Sequence, residues 1–190
     1  VALRIKSHWS NEERERSLPE IGGALAFIAW RLSVEKAINL HCERFLYEDD
    51  RQRIAVIQEY LVSLIQIADR LSDAVMDEDD RRTLITSFAA KVIEQVQDNS
   101  RDLFGTGDYG RPFIELLNRR SDEYAQLQFD EDGPSYPFLR YLGYEIQSLM
   151  EDREENRWVI DQVMDKDGWE AYKHFSRAFA NLLEGGTWSS

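Results

Sequence analysis

Apolar residues recur every three or four positions along most of this chain, a spacing that suits helices and leaves little room for strands. From Leu84 the series Leu84, Ile85, Phe88, Ala89, Val92, Ile93, Val96 forms one stripe of an amphipathic helix. Ile54, Ile57, Leu61, Leu64, Ile65, Ala68, Leu71 and Val75 form another. No comparable stretch alternates with period two, and no Asn-Gly or Asp-Gly hairpin signal occurs. The expected class is all-α, an antiparallel bundle of about six to seven helices.

Start and stop signals divide the chain. Ser10 with Glu13 resembles a capping box, and Ser17, Pro19 and Glu20 form a second start, opening a helix to about Phe45. The acidic turn Glu48-Asp49-Asp50 begins a helix reaching Met76, and Asp77 to Asp80 begins a third that ends at Asn99 or continues to Phe104. Each of these three has about 26 residues, or about 39 Å. Gly105 to Gly110 reads as a loop, Pro112 to Phe129 as a helix, and Asp130 to Pro137 as a second loop. A fifth helix runs from Pro137 to about Asp152 and a sixth from about Glu154 to Met164. Asp167 and Glu170 look like a capping pair around Gly168, opening a last helix that stops at Gly185-Gly186. Because 15 of the 22 aromatic residues follow residue 100, the chain reads as one helical domain, 1–190, with possible subdomains 1–104 and 105–190.

The segment Ile21 to Val34 is apolar around nearly its whole circumference, so this first long helix is expected at the centre, with neighbours approaching over Gly22, Gly23, Ala24 and Ala26. Arg31 interrupts it. A buried guanidinium needs a partner. Glu35 lies one turn on, and a turn centred on Glu48-Asp49 would bring Gln66 and Asp69 opposite. Two readings follow: a polar staple that fixes register, or a small-ligand site built from Arg31, Trp30, Glu35 and Asp69.

Familiar chemical signatures fail on their surroundings. Gly105-Thr106-Gly107-Asp108-Tyr109-Gly110 spells the dinucleotide fingerprint, but a helix precedes it where a strand is needed. The stretches Asp161 to Gly168 and Asp130 to Gly133 lack calcium-loop ligands at the required places. None of His8, His41 and His174 follows a glutamate by three residues, as a di-iron bundle requires. His41 and Cys42 are neighbours on one helix, about 100° apart, and so do not form a catalytic pair. Glu12 and Glu15 have the spacing of a magnesium-binding helix without its following partner, while Asp49-Asp50 and Asp79-Asp80 are each followed by arginine. No metal or cofactor is expected.

The formal charge of −13 disfavours nucleic acid, and no apolar run reaches the length of a membrane span. A single cysteine, Cys42, allows no internal disulfide, which agrees with the cytoplasm. In class alone, an acidic all-helical chain of this length is similar to the maturation chaperones of redox enzymes; their Pro-Asp-His-type motif is absent, so no residue carries over. Phe138, Tyr141, Tyr144, Trp158, Trp169, Tyr172, Phe175 and Phe179 recur at helical spacing and would line a partner groove if exposed. The expected function is a non-enzymatic acidic interaction protein, an adaptor or chaperone-like domain that binds protein, including a second copy of itself. The alternatives are a magnesium-dependent, carboxylate-based hydrolase and the Arg31 ligand binder.

Overall fold

Local capping chemistry sets where each helix begins. In the computed structural model, which describes residues 16–150 and 153–184, Ser17 caps α1 (Leu18–Cys42). Its hydroxyl accepts from the Glu20 amide at 3.4 Å while the Glu20 carboxylate accepts from the Ser17 amide at 3.0 Å. Asp49 caps α2 (Asp50–Asp73) through the Gln52 amide, and Asp77 caps α3 (Glu78–Phe104) through the amides of Asp79 and Asp80. Short links return the chain after each helix, so α1, α2 and α3 lie side by side in an up-and-down order. The expected boundaries hold to within a few residues. The start inferred at Ser10 with Glu13, the Glu12 and Glu15 pair, and the stop at Gly185-Gly186 fall outside the described residues.

The second half is less regular. α4 (Gly110–Tyr124) is followed by a hairpin of two two-residue strands, β1 (Phe129–Asp130) and β2 (Gly133–Pro134), in what reads from sequence as a plain loop. Gly133 makes that turn with φ of 112°, a conformation glycine adopts without strain. Ser135 caps α5 (Tyr136–Leu149). The expected sixth helix is broken into a 3₁₀ turn at Glu154–Asn156, the four-residue α6 (Val159–Gln162) and a π turn at Val163–Asp167 that runs directly into α7 (Gly168–Glu184). Asp167 and Glu170 are therefore no capping pair. Asp167 sits inside the widened turn, and Glu170 pairs with Lys36 instead.

Enclosure falls on a different helix from the one expected. From Val56 to Ala68 no residue of α2 is exposed, so α2 is surrounded on every side. α1 is buried through Leu18, Ile21, Leu25, Ala29, Leu32 and Leu40 but keeps an outer face. One apolar cluster takes in these side chains together with Phe88 and Val92 of α3, Phe113 of α4, Phe138 and Ile146 of α5, and Phe175 and Phe179 of α7. Buried polar groups secure the links. Asn156 accepts from the Leu46 amide at 2.9 Å and donates to the carbonyls of Leu46 and Met150 at 3.0 and 2.6 Å, which ties the α1–α2 link to the end of α5. Arg81 joins α3 to α2 through both carboxylate oxygens of Asp69, at 2.8 and 2.7 Å.

The two adjacent glycines of α1 have opposite surroundings. A Cβ on Gly22 would lie 2.9 Å from the Phe88 nitrogen and 3.2 Å from the Leu84 carbonyl oxygen, so α1 and α3 touch backbone to backbone there. A Cβ on Gly23 would meet nothing within 4 Å. Gly23→Ala is expected to stabilise the protein by about 0.5–1 kcal/mol, since only helix propensity changes. Gly22→Ala is expected to destabilise it by about 1–3 kcal/mol despite the same propensity gain, because the backbones must separate. Urea denaturation of the two variants measures both; equal effects of one sign would contradict the close contact.

Candidate functional site

The four residues picked out from the sequence do not come together. Arg31 is exposed on the outer face of α1, with its guanidinium carbon 6.0 Å from the Phe27 ring centroid, so the internal staple is not at Arg31. Gln66 donates to Ser121 at 2.8 Å and Asp69 is held by Arg81, both away from Arg31. The antiparallel register estimate fails because it assumed that α1 turns its Arg31 side toward α2, whereas that side faces solvent. Trp30, Arg31 and Glu35 do share an open depression of about 410 Å³, with Val34, Ile38 and Asn39. It is the surface of a single helix, and Asp69 is not part of it.

The buried guanidinium belongs to Arg120 of α4. It reaches Glu59 of α2 in a two-point contact, Nη2 to Oε1 at 2.8 Å and Nε to Oε2 at 3.1 Å. Glu59 is 2% exposed and Arg120 8%. Nη1 donates to Glu123 and to the Tyr141 hydroxyl oxygen, both at 3.1 Å, while Nη2 also donates to Glu145 of α5. The Tyr141 hydroxyl in turn donates to Glu123. One cation therefore serves three carboxylates on three helices. Burial alone would lower the Arg120 pKa, but the hydrogen bonds and charge of Glu59 and its neighbours outweigh it and hold the guanidinium more firmly protonated than usual. Burial raises Glu145 against the pull of Arg120, and the hydrogen bond from Tyr141 lowers Glu123. Every donor is occupied, so this arrangement has the character of a structural staple and offers no open valence to a substrate.

A second buried polar pocket lies where α1 meets the π turn. Lys36, 1% exposed, donates to Glu170 of α7 at 2.7 Å. Asp167 is fully buried, accepts from Gln162 at 3.2 Å through Oδ2, and has no hydrogen-bond partner for Oδ1 among the described residues. The hydroxyls of Ser33 and Tyr60 are likewise buried and unpartnered among those residues.

The remaining motifs have ordinary partners. In the Gly105–Gly110 loop, the Gln97 side chain accepts from the amides of Tyr109 and Gly110 at 2.8 and 3.0 Å and donates to the Gly107 carbonyl at 2.9 Å. Amides that would have to cradle a phosphate are thus already taken. Asp49 serves as a helix cap, Asp50 pairs with Arg53 at 2.6 Å, and Glu78 pairs with Arg82 at 2.9 Å. Among the described residues no three His, Cys, Asp or Glu side chains converge as a metal site would need.

The aromatic stripe of the second half divides. Phe138, Phe175 and Phe179 are core, whereas Tyr144 and Trp158 are more than half exposed. Tyr136, which stands outside the stripe read from sequence, is 62% exposed. Tyr136, Arg140 and Tyr144 follow one another at four-residue intervals on the outer face of α5. With Leu127, Pro137 and Tyr141 they wall a shallow depression of about 700 Å³. The four-residue spacing of Tyr136, Arg140 and Tyr144 was the available signal; the stripe read from sequence took in Tyr144 but left out Tyr136, which precedes the proline that marks the helix start.

Burial holds the Asp167 carboxyl above the ordinary aspartate range, although Gln162 and Lys36 pull it the other way. A carboxyl raised on folding contributes stability that is full below its ordinary pKa and is lost as pH rises through the raised one. Asp167→Asn has no such loss. Relative to wild type, its melting temperature is expected to climb as pH rises from below the ordinary aspartate range to neutrality, because only the wild type loses stability there. Thermal melts across that range check it, and a difference independent of pH would contradict it. Compared with known protein families, curated proteins and solved structures, the chain matches none, so any function has to be argued from its own surfaces.

Proposed function

We propose that this chain is a non-enzymatic, acidic interaction protein, an adaptor or chaperone-like domain, and that it takes hold of a partner protein through the outer face of α5. The observation that carries the reading is the exposed series Tyr136, Arg140, Tyr144 beside the depression walled by Leu127, Pro137 and Tyr141. Scattered exposed apolar residues are normal, but a contiguous rimmed patch marks a contact surface. Tyrosine and arginine are the side chains most favoured there: they bring large area for little lost rotamer entropy, and they retain a polar end that tolerates water before binding. The Arg120 staple lies directly beneath, since Tyr141 both donates to Glu123 and lines the depression. The face is thus presented on a rigid support.

An interaction role also accounts for the fate of the acidic residues. They cap helices or pair with arginine, as Asp49, Asp50, Asp69 and Glu78 do, and so serve folding. Among the described residues no helix is long and apolar enough to cross a membrane. The exposed thiol of Cys42 suits a reducing compartment, and a cytoplasmic location is part of the same reading.

The test is affinity capture from cells of the native host, quantified for wild type against a Tyr136→Ser/Tyr144→Ser variant, with each captured protein then purified and titrated calorimetrically. Both side chains are exposed, so the variant should melt within about 2 °C of wild type. At least one partner is expected to lose affinity by 30-fold or more, as for removal of about 2 kcal/mol of contact. A captured set and affinities indifferent to the substitutions would overturn the reading.

A further inference from the structure

We infer that the open face of α1 is the contact surface for a second copy of this chain, paired antiparallel about a two-fold axis. A helix apolar around its whole circumference is expected to be covered on every side. α1 is covered on its inner sides only. Phe27 and Ile38 stand 57% and 52% exposed, with Trp30 and Val34 half-buried between them, so one apolar stripe runs along the outside of the helix. Arg31 and Glu35, both exposed, lie within the same stripe.

The order of these residues fits a self-complementary contact. In a two-fold antiparallel pair, each residue meets a fixed opposite number and the match holds both ways. An axis passing between positions 32 and 33 sets Phe27 against Ile38 of the second copy, and Val34 against the aliphatic stem of the second copy's Arg31. The same axis leaves each Arg31 head beside a Glu35 of opposite charge, so two ion pairs flank the apolar centre. Gly23, where a Cβ would meet nothing within 4 Å, leaves room at the edge for close approach. A parallel pairing would place Arg31 against Arg31 and Glu35 against Glu35, which disfavours it.

Size and charge set the strength. The stripe from Phe27 to Ile38 spans about 17 Å of helix, less than a standard interface needs, and the two chains each carry −13. The dimer is therefore weak, with a dissociation constant of order 10–100 μM, and is favoured at physiological rather than low salt. Residues of α5 take no part, so this inference and the α5 reading stand or fall separately.

Sedimentation equilibrium of the full chain from about 5 to 500 μM at 150 mM salt tests it, with circular dichroism confirming that each variant is folded. Wild type is expected to show a monomer–dimer equilibrium. Arg31→Glu and Glu35→Arg should each weaken it at least tenfold, by setting like charges opposite one another. The exchanged variant Arg31→Glu/Glu35→Arg should return to within about threefold of wild type. Three results would overturn the proposal: a monomer at every concentration, whatever else covers the face; a dimer that ignores the single substitutions; or a dimer that the exchange fails to restore.

Discussion

Placing a guanidinium inside a protein is costly unless each of its donors is met, and the helices around Arg120 are arranged to meet them. Glu59 is inserted into the enclosed middle of α2 and takes two of the donors, while Glu145 and Tyr141 approach from α5 and Glu123 from the next turn of α4. An isolated ion of either sign at this depth would cost several kcal/mol. The pair therefore discriminates among arrangements more than it adds stability. Sliding α4 by one turn against α2 would strand Glu59 and strip Arg120 of its two-point contact. Apolar packing tolerates such slips far better, since one leucine fills the space of another.

With α4 and α5 fixed against α2, the remaining surfaces acquire meaning. α5 can present Tyr136, Arg140 and Tyr144 outward only because its other face is committed, through Phe138, Leu142 and Ile146, to the core. α1 is likewise held on its inner sides, by the close backbone contact at Gly22 and by Lys36 reaching Glu170. What is left of its apolar circumference faces out. Both exposed stripes are thus remainders of helices with more apolar surface than one chain can cover, a condition that favours association.

Much of the architecture was legible in the residues. Ser17 with Glu20, Asp49 and Asp77 each mark a helix start by chemistry that acts within four residues, where sequence and structure coincide. Contacts between distant residues were less accessible. Arg31 is the one arginine of α1 and Arg120 one of three in α4, and sequence favours Arg31 as the buried one because its neighbours are apolar. Arg120 sits among Asn118, Arg119, Ser121, Asp122 and Glu123, the pattern of a solvated face. Burial was decided by which side of each helix had a neighbour, and an all-round apolar helix gives no phase from which to read that. The broken stretch after Arg153 was hidden for a similar reason. Val159, Val163 and Met164 keep roughly helical spacing, but a π turn admits one extra residue and places Asp167 inside rather than at a cap.

The most direct test of the Arg120 staple is a double-mutant cycle by urea denaturation with Glu59→Leu, Arg120→Met and the two combined. If the pair acts as one buried unit, each single change costs about 3–5 kcal/mol, and the combination costs clearly less than the sum of the two because Glu59 and Arg120 no longer strand each other. Additive losses, or an Arg120→Met variant within about 1 kcal/mol of wild type, would show that the helices are held in register by something else.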